Sequence, residues 1–165
     1  MSIDDVVIGR LPGAAAPLAF LLGTWRGGGR GEFPTMEAFD YREQMTFDHV
    51  GDAFLLYVQR SWLATDGTPL HFERGFLRPG EGPGDVELTL AHPLGLTEVS
   101  EGRLEAGVME LTSTNVGRTG TGMPLRSLHR RYRVEGEHLR YELDMETDST
   151  PLGRHLTGDL VRVPW

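Results

Sequence analysis

The feature that most constrains this chain is a two-residue alternation of apolar and polar side chains, interrupted repeatedly by glycine and proline. It is clearest in segments 39–48, 54–62, 86–90, 128–134 and 139–145. Such alternation is typical of half-buried β-strands. We expect about ten strands, with turn signals about every 8–12 residues, as in all-β barrels and sandwiches. Glu135-Gly136-Glu137 is predicted to join two of them as a tight hairpin.

The spacing of the turns favours a closed antiparallel barrel of the lipocalin or fatty-acid-binding kind over a sandwich. Short turns without long crossovers suit a meander, whose closed form leaves room inside for one small ligand. A sandwich would fill the same space with side chains. Only Ala14–Leu22 is predicted to be helical, with Pro17 in its first turn and Gly23 at its end. We expect a single domain over residues 1–165.

Composition excludes several functions. The chain has no cysteine, so disulfides, thiolate nucleophiles and iron–sulfur ligation are absent. All 16 basic residues are arginine, which excludes Schiff-base chemistry and the P-loop lysine. A net charge of −8 argues against nucleic-acid binding and anionic membranes. The longest apolar stretch is far shorter than the roughly 18 residues of a membrane span, and the start of the chain does not resemble a signal peptide. We therefore expect a cytoplasmic protein.

The glycine-rich stretch after the helix has two interpretations. It does not suit a phosphate cradle, because it follows a helix and opens a strand. Trp25 is expected to close one end of the barrel. Gly27, Gly29 and Gly31 share a strand face, where missing side chains let a neighbouring strand bend or let a flat ligand approach.

The six histidines show no zinc-hydrolase spacing. His49 and His138 lie beside predicted turns, and His129 is expected to face water. His71 is out of phase with the predicted apolar face, and His92 is expected to make a turn hydrogen bond. His155 begins the last strand, where it could point into a cavity.

Charged residues interrupt several predicted apolar faces. In segment 54–62 the predicted interior face is that of Leu56, Val58 and Trp62, so Arg60 would meet Glu43 of the preceding strand inside the barrel. Glu73 could pair in the same way with Arg74 or Arg78. The run Arg130, Arg131 and Arg133 is expected to face Glu142, Asp144 and water. None of these forms a convincing catalytic dyad.

Several motifs resemble the nitrobindin family. The first is Gly23-Thr24-Trp25-Arg26-Gly27-Gly28-Gly29 within 17–35, which matches the family's Gly-x-Trp-x-Gly-x-Gly signature. The likeness continues through 47–51, 70–79 and 90–95, and ends with Pro151-Leu152-Gly153-Arg154-His155. It covers the chain from about residue 15 to its end. The N-terminal signature alone is shared in part with lipocalins, whereas its combination with the C-terminal motif is specific.

The resemblance implies a ten-stranded barrel that holds haem b, mainly as ferric iron, binds nitric oxide and isomerises peroxynitrite to nitrate. It assigns the axial haem ligand to His155 and a haem contact to Thr35. Family members often carry a lysine near the haem, in the loop before the strand of Arg130. This chain has none there, and Arg126 is the candidate substitute for contacts to the haem propionates.

Three functions follow as alternatives. The leading one is a haem-dependent peroxynitrite isomerase. The second is a non-enzymatic sensor or carrier of nitric oxide that uses the same haem. The third is a lipocalin-like carrier of a small apolar ligand, with His155 as an ordinary strand residue. The sequence leaves monomer and homodimer open.

Overall fold

A computed structural model describes residues 10–164. A 3₁₀ helix, Gly13–Leu21, precedes ten β-strands. The strands are β1 Gly23–Phe33, β2 Met36–Asp48, β3 Leu55–Leu63, β4 Pro69–Pro79, β5 Asp85–His92, β6 Leu96–Glu105, β7 Val108–Arg118, β8 Leu125–Glu135, β9 His138–Thr147 and β10 Gly153–Arg162.

The strands form one closed antiparallel barrel. Each strand pairs with its neighbours in the chain, and β1 pairs with β10 from Trp25↔Arg162 to Gly31↔Leu156. The hairpin at Gly136 forms as predicted, with a positive φ of 59° at the glycine. The predicted ten-stranded meander is therefore confirmed. Closure pairs the first and last strands, β1 and β10, which would otherwise be the two edges of the sheet.

The N-terminal helix closes one end of the barrel. The helix is 3₁₀ in type and starts and ends one residue earlier than predicted. It buries Leu18 and Leu21, while fully buried Trp25 donates a hydrogen bond from Nε1 to the Leu21 carbonyl at 2.8 Å. The Arg162 guanidinium lies 4.1 Å from the centre of the Trp25 ring, so the last strand is tied to the same plug. No helix within residues 10–164 has the length and apolar character to span a membrane.

Glycine allows the seam between β1 and β10 to close. A Cβ at Gly29 would collide with the Thr157 carbonyl of β10 and come within 2.6 Å of the Tyr41 hydroxyl. Any side chain there would push the two strands apart. Of the two roles predicted for these glycines, the geometry at Gly29 supports the one in which missing side chains accommodate a neighbouring strand.

The predicted interior face of β3 is wrong. Leu55, Tyr57 and Gln59 are buried inside the barrel, whereas Arg60 is exposed on its outer surface. Both faces of this strand carry large apolar residues, so alternation alone did not distinguish them. The pairing of β2 with β3 and β3 with β4 decides the phase. The predicted Glu43–Arg60 pair therefore does not form.

Candidate functional site

The end of the barrel opposite the helix contains a cavity of about 490 Å³. This is the usual size of a small-molecule or cofactor pocket. Its apolar wall is a second hydrophobic cluster, separate from the core that packs under the helix. The buried members of that cluster are Phe33, Leu96, Leu125, Leu128, Leu143 and Met145. All but Phe33 line the cavity directly.

A β-bulge directs His155 into this cavity. In the pairing of β10 with β9, Arg154 is opposite Asp144 and Leu156 is opposite Leu143, so His155 is the extra residue. Bulges of this kind re-aim a side chain that regular alternation would send elsewhere. As a result the consecutive residues His155 and Leu156 both line the cavity.

The imidazole of His155 is oriented by its surroundings. Nδ1 lies 3.1 Å from the backbone carbonyl oxygen of Glu32, and the ring meets Phe33 edge-on with 5.5 Å between ring centres. Since a carbonyl only accepts hydrogen bonds, Nδ1 carries the proton and Nε2 keeps a free lone pair. Burial lowers the pKa of His155, opposed in part by the bond to Glu32. A neutral, oriented imidazole of this kind is ready to bind a metal ion.

The other residues assigned by resemblance lie outside the cavity wall. Thr35 is exposed in the turn between β1 and β2, next to Met36, which does line the cavity mouth. Arg126 is at the start of β8, where its Nε donates to Asp148 at 2.7 Å. The guanidinium of Arg126 is therefore already engaged at the surface.

A charged cluster fills the floor of the cavity, and the predicted partners of its members are wrong. Arg130 points inward and donates to both oxygens of Glu73, at 2.8 and 3.0 Å, and to both oxygens of Glu98, at 3.0 and 2.7 Å. Arg74 is exposed and Arg78 pairs with Glu87 instead. Burial alone would raise the pKa of Glu73 and of Glu98, but Arg130 outweighs it and lowers both. Arg130 shares the phase of Leu128 and Tyr132 along β8, which is the sequence signal that points to its inward direction.

A third buried carboxyl, Glu43, ends a chain of hydrogen bonds. The Tyr41 hydroxyl donates to the Thr157 carbonyl at 2.9 Å, Tyr141 lies 2.5 Å from Tyr41, and Glu43 Oε2 lies 2.5 Å from Tyr141. Three links need three protons, and the two tyrosines supply only two. When Glu43 is protonated, Tyr41 donates to the carbonyl, Tyr141 to Tyr41 and Glu43 to Tyr141, so all three links form; when Glu43 is ionised, Tyr141 donates to Glu43 instead. Burial raises the pKa of Glu43 to about 7, which agrees with a protonated acid at this position.

Replacing Glu43 with glutamine is expected to remove a pH dependence of the free energy of unfolding between about pH 4.5 and 7. The pKa of Glu43 rises from its ordinary 4.5 to about 7 on folding, so folding takes up a proton between these values. The contribution of this proton to the free energy of unfolding is complete below pH 4.5 and is lost as the pH rises to about 7. The wild type should therefore lose up to about 3 kcal/mol relative to Glu43→Gln across this window. Urea unfolding at several pH values measures the difference.

The exposed Glu101 of β6 provides the matched control. Glu101→Gln should follow the wild-type pH profile. A difference between wild type and Glu43→Gln that stays constant from pH 4.5 to 7 would show that Glu43 is ionised in the folded protein.

His71 and His92 meet at the same buried cluster, contrary to both sequence expectations. His71 Nε2 is 3.2 Å from Glu73 Oε2 and 3.2 Å from His92 Nδ1. His92 Nδ1 is 3.4 Å from Glu73 Oε2. His71 therefore faces inward and lines the cavity, whereas the next residue, Phe72, does not. His71 and Glu73 are two residues apart on one strand and therefore share a face, which was the sequence signal that both point inward.

The remaining histidines lie where the sequence predicted. His49 Nδ1 accepts a hydrogen bond from Gly51 in a turn. His138 contacts Asp159, and His129 lies half-exposed 3.7 Å from Asp144.

Both the ligand atom that the cavity offers and its apolar wall are suited to a haem group. His155 offers one imidazole Nε2 from a strand, which is the proximal ligation of many haem proteins. Apolar side chains surround it, and they would keep water from an iron bound there. Polar groups that a propionate could meet are confined to the mouth and the floor.

A family model described as "THAP4-like, heme-binding beta-barrel domain" matches residues 14–162. The chain belongs to this haem-binding barrel family. The expected resemblance, the ten-stranded barrel and haem as the cofactor are thereby confirmed.

Relatives within the family are similar over nearly their whole length. "Peroxynitrite isomerase 2" of Mycobacterium ulcerans (strain Agy99) is 48% identical over 149 residues, covering 88% of this chain and 92% of the relative. "Peroxynitrite isomerase" of Nocardia farcinica (strain IFM 10152) is 45% identical over 151 residues, covering 89% of each. The crystal structure of Rv2717c from M. tuberculosis superposes with a TM-score of 0.86 at 40% identity, covering 94% of this chain and all of the other.

Proposed function

We propose that this family member is an enzyme that isomerises peroxynitrite to nitrate at a haem b held by His155. The observation that carries the proposal is the His155 imidazole, bulged into the cavity with Nδ1 bound to the Glu32 carbonyl and Nε2 free. Support also comes from relatives at 45–48% identity that are named peroxynitrite isomerases.

The cofactor would supply the ferric iron at which peroxynitrite rearranges. Peroxynitrite and nitrate contain the same atoms and carry the same charge, so the reaction needs no external oxidant or reductant. Neutral His155 would hold the iron, and the Glu32 carbonyl fixes the direction of the imidazole ring. The apolar side chains of the cavity wall, including Leu128 and Met145, would exclude water from the space beside the iron.

Three finer points belong to the same proposal. The open face of the iron would also bind nitric oxide, a small uncharged molecule that suits an apolar wall. Thr35, beside the cavity mouth, is proposed to contact the haem edge. The protein is proposed to act in the cytoplasm, in keeping with a cysteine-free chain.

Stopped-flow kinetics test the activity. Haem-loaded wild type should accelerate the decay of peroxynitrite in proportion to protein concentration and raise the yield of nitrate over nitrite. Haem-free protein is the control and should leave the decay unchanged. If the haem-loaded protein binds nitric oxide but leaves the decay of peroxynitrite unchanged, the proposed enzyme activity is wrong and the protein is a nitric oxide carrier.

A further inference from the structure

The cluster of His71, Glu73 and His92 has the geometry of a metal-binding site. Their three facing atoms, His71 Nε2, Glu73 Oε2 and His92 Nδ1, are separated by 3.2, 3.2 and 3.4 Å. Zinc binds nitrogen and oxygen at about 2.0–2.1 Å, and a tetrahedron of such bonds places neighbouring ligand atoms about 3.3–3.4 Å apart. The three atoms thus form one face of that tetrahedron without rearrangement.

Neither tautomer of neutral His92 frees this cluster of like-polarity contacts. If both neutral histidines turn an N–H towards Glu73, two donors face each other at 3.2 Å and His92 Nε2 is left unprotonated. That Nε2 is buried, has no hydrogen-bond partner within residues 10–164, and lies 3.4 Å from Glu98 Oε2. If Nε2 carries the proton instead, it faces Glu98, and Nδ1 accepts from His71 Nε2 at 3.2 Å while its lone pair lies 3.4 Å from Glu73 Oε2. The first arrangement therefore keeps a donor–donor contact, and the second keeps an acceptor–acceptor contact.

A metal ion at the centre resolves both conflicts. With Nδ1 of His92 on the metal, Nε2–H faces Glu98, the carboxylate–histidine–metal arrangement of many metalloproteins. Glu73 keeps its supporting bonds, because Oε1 accepts from Tyr57 at 2.8 Å and from Arg130 at 2.8 Å. Two carboxylates against one guanidinium also leave one negative charge, which a bound cation offsets.

We propose that His71, Glu73 and His92 bind a divalent transition-metal ion of the zinc class, with a fourth position open to the cavity. All three side chains line the cavity, which would give an exchangeable ligand access to the ion. Two histidines and one carboxylate form the ligand set of several catalytic zinc and non-haem iron sites. This inference does not depend on haem, because none of the three is the proposed haem ligand His155.

Metal titration of the haem-free, chelator-treated full chain tests the site. Calorimetry with Zn²⁺ should give one site per chain with a dissociation constant of about 1 µM or below. Co²⁺ should produce the intense visible bands of a four-coordinate ion. His71→Ala should weaken Zn²⁺ binding at least about 100-fold, more than the loss of an outer hydrogen-bond partner usually costs. The half-buried position of His71 makes this variant a mild one for folding.

Two further variants separate this site from other histidines. His155→Ala removes the proposed haem ligand, and His129→Ala removes a histidine that points away from the cavity. Both should bind Zn²⁺ as the wild type does. Absence of one-to-one binding in the wild type would overturn the proposal. Loss of binding in His155→Ala with retention in His71→Ala would also overturn it. Neither outcome bears on haem binding, which the Soret band reports separately.

Discussion

Haemin added to His155→Ala is expected to give no saturable one-to-one Soret shift, whereas the wild type gives one. The variant removes the imidazole whose Nε2 is free in the cavity, and no other change to the wall is made. We expect haem affinity to fall at least about 100-fold, as for loss of a direct metal ligand. An absorbance titration of both proteins measures the effect.

The matched control for His155 is His129→Ala on β8. His129 is a half-exposed histidine beside Asp144 on the outer surface, so its loss should leave the titration unchanged. Added imidazole should restore part of the wild-type spectrum to His155→Ala by occupying the vacated space. Identical spectra for wild type and His155→Ala would show that His155 is only a strand residue.

Replacing Arg130 with methionine is expected to cost about 3–5 kcal/mol of stability. Arg130 is the shared partner of Glu73 and Glu98 on the cavity floor, and all three are buried. Without the guanidinium, two buried carboxylates lose their charged partner. Urea unfolding of the haem-free protein, followed by circular dichroism, measures the change.

The next residue on β8 provides the control. Arg131 is exposed and pairs with Glu110 at 3.2 Å, so Arg131→Met should change stability by less than about 1 kcal/mol. Adding Glu73→Gln and Glu98→Gln to Arg130→Met should recover part of the loss, because the uncompensated charges are removed. An Arg130→Met variant as stable as Arg131→Met would show that the cluster contributes nothing net to folding.

The fold could be predicted because its signals are local. Alternation within each strand, the short turns and the helix before Gly23 are all properties of neighbouring residues. Consecutive antiparallel pairing follows from short turns, and the absence of long crossovers favours a closed meander over a sandwich. The motif around His155 was also visible, since it combines with the N-terminal glycine signature.

The inner polar network could not be predicted in the same way. Glu73 meets Arg130 across 57 positions, and Tyr41 meets Tyr141 across 100. Such contacts depend on register and on which face of each strand is turned inward. On β3 either face is apolar enough to be the buried one. An error of one residue in register exchanges the inward and outward faces of the whole strand.

The sequence by itself determined a meandering ten-stranded barrel, its N-terminal plug and one histidine at the start of the last strand. Only the tertiary structure decided that a bulge turns His155 into the cavity, and that His71, Glu73 and His92 converge on the cavity floor. The physical reason is that alternation specifies a strand but not its register. Bulges and pairings between distant strands form only when the barrel closes.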